Sequence, residues 1–175
     1  MHDRVIASFL QRQLEEGVAL ARESDKLAIV PVTPQHFAIQ LRCKGLVQAG
    51  SGGIVTADNF EFGVYFPADY PRRANPFEVV TWFGPREVFH PNISNKVPMI
   101  CIGHLFPGTP LVDIVRQVFQ IVTYQKVTMR EDDALNREAC AWARQNQHRF
   151  PIDRRPLKRG TPTLNIEILG EGNAQ

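Results

Sequence analysis

Cysteine is scarce in this chain, and so is every signal of a membrane, a metal or a nucleic acid. Cys43, Cys101 and Cys140 are the only three thiols among 175 residues, and no two of them form a CxxC pair. An odd count without paired spacing excludes a disulfide scaffold and a zinc knuckle, and it fits a reducing compartment. No apolar run approaches the roughly 20 residues that span a bilayer. The start His2-Asp3-Arg4 lacks a secretory pattern. A cytoplasmic location without a membrane partner is therefore expected. Charge of one sign is also missing: 20 Lys and Arg face 18 Asp and Glu, a net of +2. The basic residues are scattered, with Arg72-Arg73 and Arg154-Arg155 as the only doublets, which argues for solvated surface and against nucleic acid. There is no internal repeat.

What is present is an ordinary globular composition, 43% hydrophobic and 22% charged, at a length that suits one domain with a sizeable core. Residues 4–22 place Ile6, Leu10, Leu14, Val18 and Ala21 at helical spacing, with Asp3 as a plausible cap. The period then changes to two. Leu27 to Val32, Phe37 to Cys43, Phe60 to Phe66 and Phe77 to Phe83 read as four strands. Ala49-Gly50-Ser51-Gly52-Gly53 turns the chain between the middle pair, and loops this short imply an antiparallel meander. From Phe83 to Pro110 the chain is irregular and proline-rich, the mark of a functional loop. Leu111, Ile114, Val115, Val118, Phe119 and Val122 then outline a strong helix, with Thr109 able to cap it. A second helix runs from about Ala134 to Arg149, with Asp133 as its natural cap. Helix, meander, functional loop and two further helices make an α+β layout over residues 1–150. A Pro/Arg-rich C-terminal extension occupies residues 151–175. Within it, Thr163-Leu164-Asn165-Ile166-Glu167-Ile168 alternates, as an edge strand or as an arm that orders on a partner.

The chemistry concentrates in Phe89-His90-Pro91-Asn92-Ile93 and in Cys101, nine positions past Asn92. Cysteine is the strongest thiol nucleophile available to a protein, and an asparagine amide can donate to an oxyanion. Each residue also has a plainer role. A free cysteine is commonly a small buried apolar residue, Asn92 can shape a turn, and His90 can pack under it. His104 can serve as a thiolate partner or stand as a surface loop residue.

A His-Pro-Asn turn ahead of a cysteine resembles the active-site signature of ubiquitin-conjugating enzymes. Three further segments match that family in the right order: Phe66-Pro67-Ala68-Asp69-Tyr70-Pro71, Pro76-Phe77-Glu78-Val79, and Asp132-Asp133-Ala134-Leu135-Asn136. The resemblance spans about residues 4–150 and implies the ubiquitin-conjugating fold. It implies that Cys101 carries a ubiquitin-like modifier protein as a thioester, received from an activating enzyme and passed to an amine on a target protein. Thiol–thioester exchange is nearly isoenergetic, so no cofactor and no metal are expected. The resemblance makes Asn92 the oxyanion donor, places Asp133 at a gate beside Cys101, and includes His90 in the catalytic set. It places the activating enzyme on the exposed face of the first helix, at Arg4, Gln11, Arg12 and Glu15. The segment after Cys101 is shorter than in common members and lacks their tryptophan, with Phe106-Pro107 in its place. The final helix gives way to the proline-rich extension. Such divergence resembles the minimal members found in bacterial ubiquitin-like conjugation operons, antiphage defence systems among them. Two other readings stand beside this one: an inactive module that only binds ubiquitin-like proteins, and a thiol hydrolase using Cys101 with His90 or His104.

Overall fold

Alternation along the middle of the chain builds the sheet on which everything else rests. The computed structural model describes residues 4–158. Strands β1 (Leu27–Thr33), β2 (His36–Gln48), β3 (Ile54–Tyr65) and β4 (Val80–Gly84) form one antiparallel sheet in the order β1-β2-β3-β4. Helix α1 (Arg4–Arg22) precedes it, and α3 (Leu111–Val122) and α4 (Arg137–Gln145) follow the loop. Phe37, Ile39, Leu41 and Cys43 of β2 and Phe60, Phe62 and Val64 of β3 turn to one face and are buried. Helix α3 supplies Leu111, Ile114, Val115, Val118 and Phe119 to the same core. At roughly 1.5–3 kcal/mol for each large side chain taken out of water, this layer supplies the main stabilising term. Where β1 lies at the margin of the sheet, Pro31 sits opposite Phe37.

Local chemistry shifts several boundaries. Phe77 to Val79, expected as strand, belongs to a short helix α2 (Pro76–Val79). Asn75 causes it: its side chain accepts from the Phe77 N–H at 3.1 Å, and Pro76 is preset for a first helical turn. Strand β2 runs past Cys43 because the register shifts between Arg42 and Gly45 and pairing then resumes to Gln48. The second predicted helix is shorter. Asp133 does not cap it but sits in a single 3₁₀ turn, Glu131–Asp133, while Asn136 caps α4 by accepting from the Ala139 N–H at 3.0 Å. A separate 3₁₀ turn, Gln147–Arg149, follows.

Thr109 does not cap α3 either; its hydroxyl donates to the Phe106 carbonyl. The cap comes from another helix. Gln13 of α1 is 1% exposed, and its side-chain oxygen accepts from the Leu111 N–H at 2.7 Å. One turn on, Gly17 lets the two helices close up, since a Cβ there would meet Leu111 at 2.9 Å. Helix α1 therefore buries Gln13, Gly17 and Leu20 deepest, a stripe rotated from the one its hydrophobic spacing suggested. Gln13→Ala leaves a buried N–H without a partner, so we expect a loss of about 1–3 kcal/mol in denaturant unfolding. An unchanged midpoint would show that water replaces the glutamine oxygen.

Residues 151–158 lie against the core. Leu157 is buried, the Lys26 ammonium donates to the Pro156 carbonyl at 2.8 Å, and Gln125 donates to the Asp153 carbonyl. The alternating stretch Thr163 to Ile168 and the proposed cap Asp3 fall outside the described residues.

Candidate active site

The long loop between β4 and α3 is ordered because it hangs from buried apolar side chains: Val88, Phe89, Ile93, Ile100, Ile102 and Leu105. Its centre is the turn closed by the Ile93 N–H on the His90 carbonyl at 3.1 Å. The His90 ring lies inside that turn. Its Nδ1 accepts from the Asn92 N–H at 3.0 Å, and its face meets the edge of Tyr124 with centroids 4.3 Å apart. Tyr124 in turn donates to the Phe89 carbonyl. Burial at 1% exposure drives the imidazole down to about pKa 3, so the ring is neutral with its proton on Nε2. Its one free lone pair is spent on the backbone, which makes His90 a support for the turn.

Asn92 brackets Cys101. The Cys101 N–H donates to the Asn92 carbonyl at 2.8 Å, and the Asn92 side-chain amide donates to the Cys101 carbonyl at 3.1 Å. Its side-chain oxygen accepts from the Thr128 N–H at 2.9 Å. Ile93 and Ile100 bridge one step further along. The nine-residue spacing is thus the neck of a small excursion, with Asn92 and Cys101 as its two sides. One of the two amide hydrogens of Asn92 is engaged by the Cys101 carbonyl.

Cys101 is half-buried, whereas Cys43 and Cys140 are fully buried. Burial pushes the Cys43 thiol up to about 12, and the Cys140 sulfur faces the Thr128 carbonyl at 3.5 Å. Of the three thiols, Cys101 is the one a macromolecular partner can reach, and only a thiolate is strongly nucleophilic.

The segment ahead of α4 is strapped to the same turn. The Pro91 carbonyl accepts from both Leu135 N–H, at 2.9 Å, and Asn136 N–H, at 3.2 Å. Asp133, two residues before that strap, is exposed and paired with Arg130 at 3.4 Å. His104 is exposed, its ring edge against Phe106 at 4.5 Å. Arg4, Gln11, Arg12 and Glu15 are all exposed on α1, with Gln11 donating to Glu15 at 2.8 Å. They form a surface on a different element from Cys101. Among the described residues, no group of His, Cys, Asp and Glu is arranged to hold a metal, and no helix is long and apolar enough to cross a membrane.

Sequence reasoning missed three contributors. Tyr124, Lys126 and Thr128 reach the site from the turn after α3, where Tyr124 takes φ +58° and the Gln125 and Lys126 N–H groups return to the Gln120 carbonyl. Lys126 then donates to the Ile102 carbonyl at 2.7 Å. A non-glycine residue at positive φ leaves no pattern in the sequence, so nothing local announced this return.

No protein-family model and no curated protein matches the chain. Solved structures do. One described as a novel ubiquitin-conjugating enzyme aligns with a TM-score of 0.54 at 16% identity, covering 82% of this chain and 88% of its own. A protein assigned as a ubiquitin conjugating enzyme from Plasmodium yoelii aligns with a TM-score of 0.54 at 16% identity, covering 81% and 87%. N-terminal helix, four-stranded antiparallel sheet, loop and further helices together make a ubiquitin-conjugating-like fold.

Proposed function

We propose that this protein is a cysteine acyl carrier. It accepts the C-terminal acyl group of a ubiquitin-like modifier protein from an activating enzyme, as a thioester on Cys101, and transfers it to an amine on a target protein. The observation that carries this reading is the bracket: the one reachable thiol stands on a residue whose N–H and carbonyl are both held by Asn92. In loading, the Cys101 thiolate attacks the incoming thioester, the new C–S bond forms, and the activating enzyme's thiolate leaves. In discharge, a neutral amine attacks the carbonyl and the oxyanion accepts a hydrogen bond from the second amide hydrogen of Asn92. The C–N bond then stays, the C–S bond breaks, and the Cys101 thiolate leaves and takes up the proton the nitrogen loses. Asp133 orients the amine, and His90 holds the turn. The shortened loop, and the lack of an α-helix after α4 among the described residues, fit a member of a bacterial ubiquitin-like conjugation operon.

Incubation with activating enzyme, ATP and modifier is expected to give an adduct that reductant removes. No adduct would mean a binding module, and cleaved modifier would mean a hydrolase. The exposed face of α1 is proposed to dock the activating enzyme. Arg4→Glu with Arg12→Glu is then expected to slow charging several-fold at low enzyme concentration and low salt, while preloaded protein discharges at its former rate. Unchanged charging would move the docking surface elsewhere.

A further inference from the structure

We propose that the chain's own stretch Leu164 to Ile168 folds back into the apolar groove between α1 and the turn that joins β1 to β2, and closes it.

Two features of the sequence have no part in the site described above. The first is the stripe Ile6, Leu10 and Leu14. Because α1 buries Gln13, Gly17 and Leu20 deepest, this stripe is left only half-buried. With Pro31, Pro34 and Ala68 it lines a groove of about 990 Å³, at the upper end of the about 300–1,000 Å³ in which proteins hold organic ligands. Apolar surface gathered in one exposed concavity marks a place where something binds. The second feature is the alternation Leu164-Asn165-Ile166-Glu167-Ile168, which lies outside the described residues. Extended, such a stretch sends three large aliphatic side chains to one side and two polar ones to the other. One side suits the groove and the other suits water.

The exit of the chain directs the stretch there. The Lys158 ammonium pairs at 3.0 Å with Glu23, at the end of α1. The Pro156 carbonyl accepts at 2.8 Å from Lys26, just ahead of β1. Both elements run from this point to the groove, which β1 enters at Pro31 and α1 at Leu14. The lengths agree. From Glu23 back along α1, Leu14, Leu10 and Ile6 lie about 14, 20 and 26 Å away at 1.5 Å per residue. Extended chain leaving Lys158 reaches about 20 Å at Leu164, about 26 Å at Ile166 and about 33 Å at Ile168. Each aliphatic side chain of the stretch therefore meets one of the stripe with a little slack.

Tethering favours the chain's own stretch over that of a second copy. Only residues 159–163 separate Lys158 from Leu164. A link this short holds the stretch beside the groove at an effective concentration on the order of millimolar, which a second copy does not match in dilute solution.

The test uses full-length protein with isoleucine and leucine methyls labelled for NMR. Nuclear Overhauser contacts from Ile166 and Ile168 to Ile6, Leu10 or Leu14 are expected, and a mixture of labelled and unlabelled chains should show them to lie within one molecule. Ile166→Asp with Ile168→Asp leaves every described contact in place. It should release the stretch, so that amide exchange over 164–168 quickens at least about tenfold and the groove methyls shift. Ala7→Arg approaches from the other side. Ala7 is exposed at the lip of the groove, and arginine keeps the helix, so the core methyls should hold their positions while Ile166 and Ile168 are released. Contacts found only between molecules would give the groove to a second copy and overturn the proposal. Ile166 and Ile168 methyls at unstructured positions in the parent protein, or unmoved by Ala7→Arg, would overturn it as well.

Discussion

Cys101→Ala is expected to abolish the reductant-sensitive adduct completely while leaving the fold unchanged. Both halves follow from the geometry. The structural ties of this residue run through its backbone, to the Asn92 carbonyl and from the Asn92 amide, and alanine keeps both. Its side chain is only half-buried, so truncation should move stability by no more than about 0.5 kcal/mol. The remaining thiols, Cys43 on β2 and Cys140 on the buried face of α4, lie where no partner the size of a protein can reach them. Cys101→Ser should behave differently, accumulating an ester that reductant does not cleave, because an oxyester exchanges more slowly than a thioester. A non-reducing gel beside a thermal melt reads all of this. Full charging of the alanine variant would reject the assignment and would require Cys43 or Cys140 to be exposed by opening the core.

Asn92→Ala is expected to stall discharge by about 10-fold at least, and by 100- to 1000-fold if the amide meets the oxyanion as a dedicated donor does. Charging should suffer less, since the activating enzyme supplies much of its geometry. The same substitution strips the Thr128 N–H and the Cys101 carbonyl of their partner, so the protein also loses about 1–3 kcal/mol. Asn92→Asp separates the effects. It keeps an acceptor for Thr128 and removes the donor, so its melting should lie nearer the parent while discharge stays low. Asp133→Ala touches an exposed residue, so it should melt like the parent and lose discharge about tenfold. If Asp133 orients the amine, its defect should narrow at alkaline pH, where more of the acceptor lysine is already neutral. Single-turnover discharge to free lysine from neutral to mildly alkaline pH measures this. Charging and discharge falling together, in step with melting temperature, would reduce both residues to scaffolding.

The parts of this architecture that follow a period were legible in the sequence. Alternation in Phe37 to Cys43 and Phe60 to Val64 placed the two central strands, and the spacing from Leu111 to Val122 placed α3, though its cap is not Thr109 but Pro110 with the Gln13 side chain. The parts governed by one hydrogen bond were not. Asn75 turns three strand-like residues into α2, and Asn136 takes the capping role from Asp133 because the Pro91 carbonyl holds the N–H groups of residues 135 and 136, so the helix starts only after them. Gln13 looked like a polar interruption of an apolar stripe. Its position beside Leu10 and Leu14 and four residues before Gly17 was the available hint that it is buried for a reason. At the site, Cys101 and Asn92 stood out by residue type and spacing. The contribution from Tyr124, Lys126 and Thr128 depends on a chain reversal that no spacing rule encodes.

The proline at the margin of the sheet limits how this protein can associate. The Arg42 N–H on the Lys26 carbonyl sets the phase of β1: Ala28 and Val30 address β2, while Leu27, Ile29 and Pro31 direct their backbone groups away from it. Among the described residues no strand pairs with this rim, which offers two amide hydrogens and then a position with none. Exposed Val30 and Val32 flank that gap, a combination that without it would invite strand-to-strand aggregation at high concentration. Any strand that joins this rim, the chain's own Leu164 to Ile168 included, finds a short template that ends at Pro31.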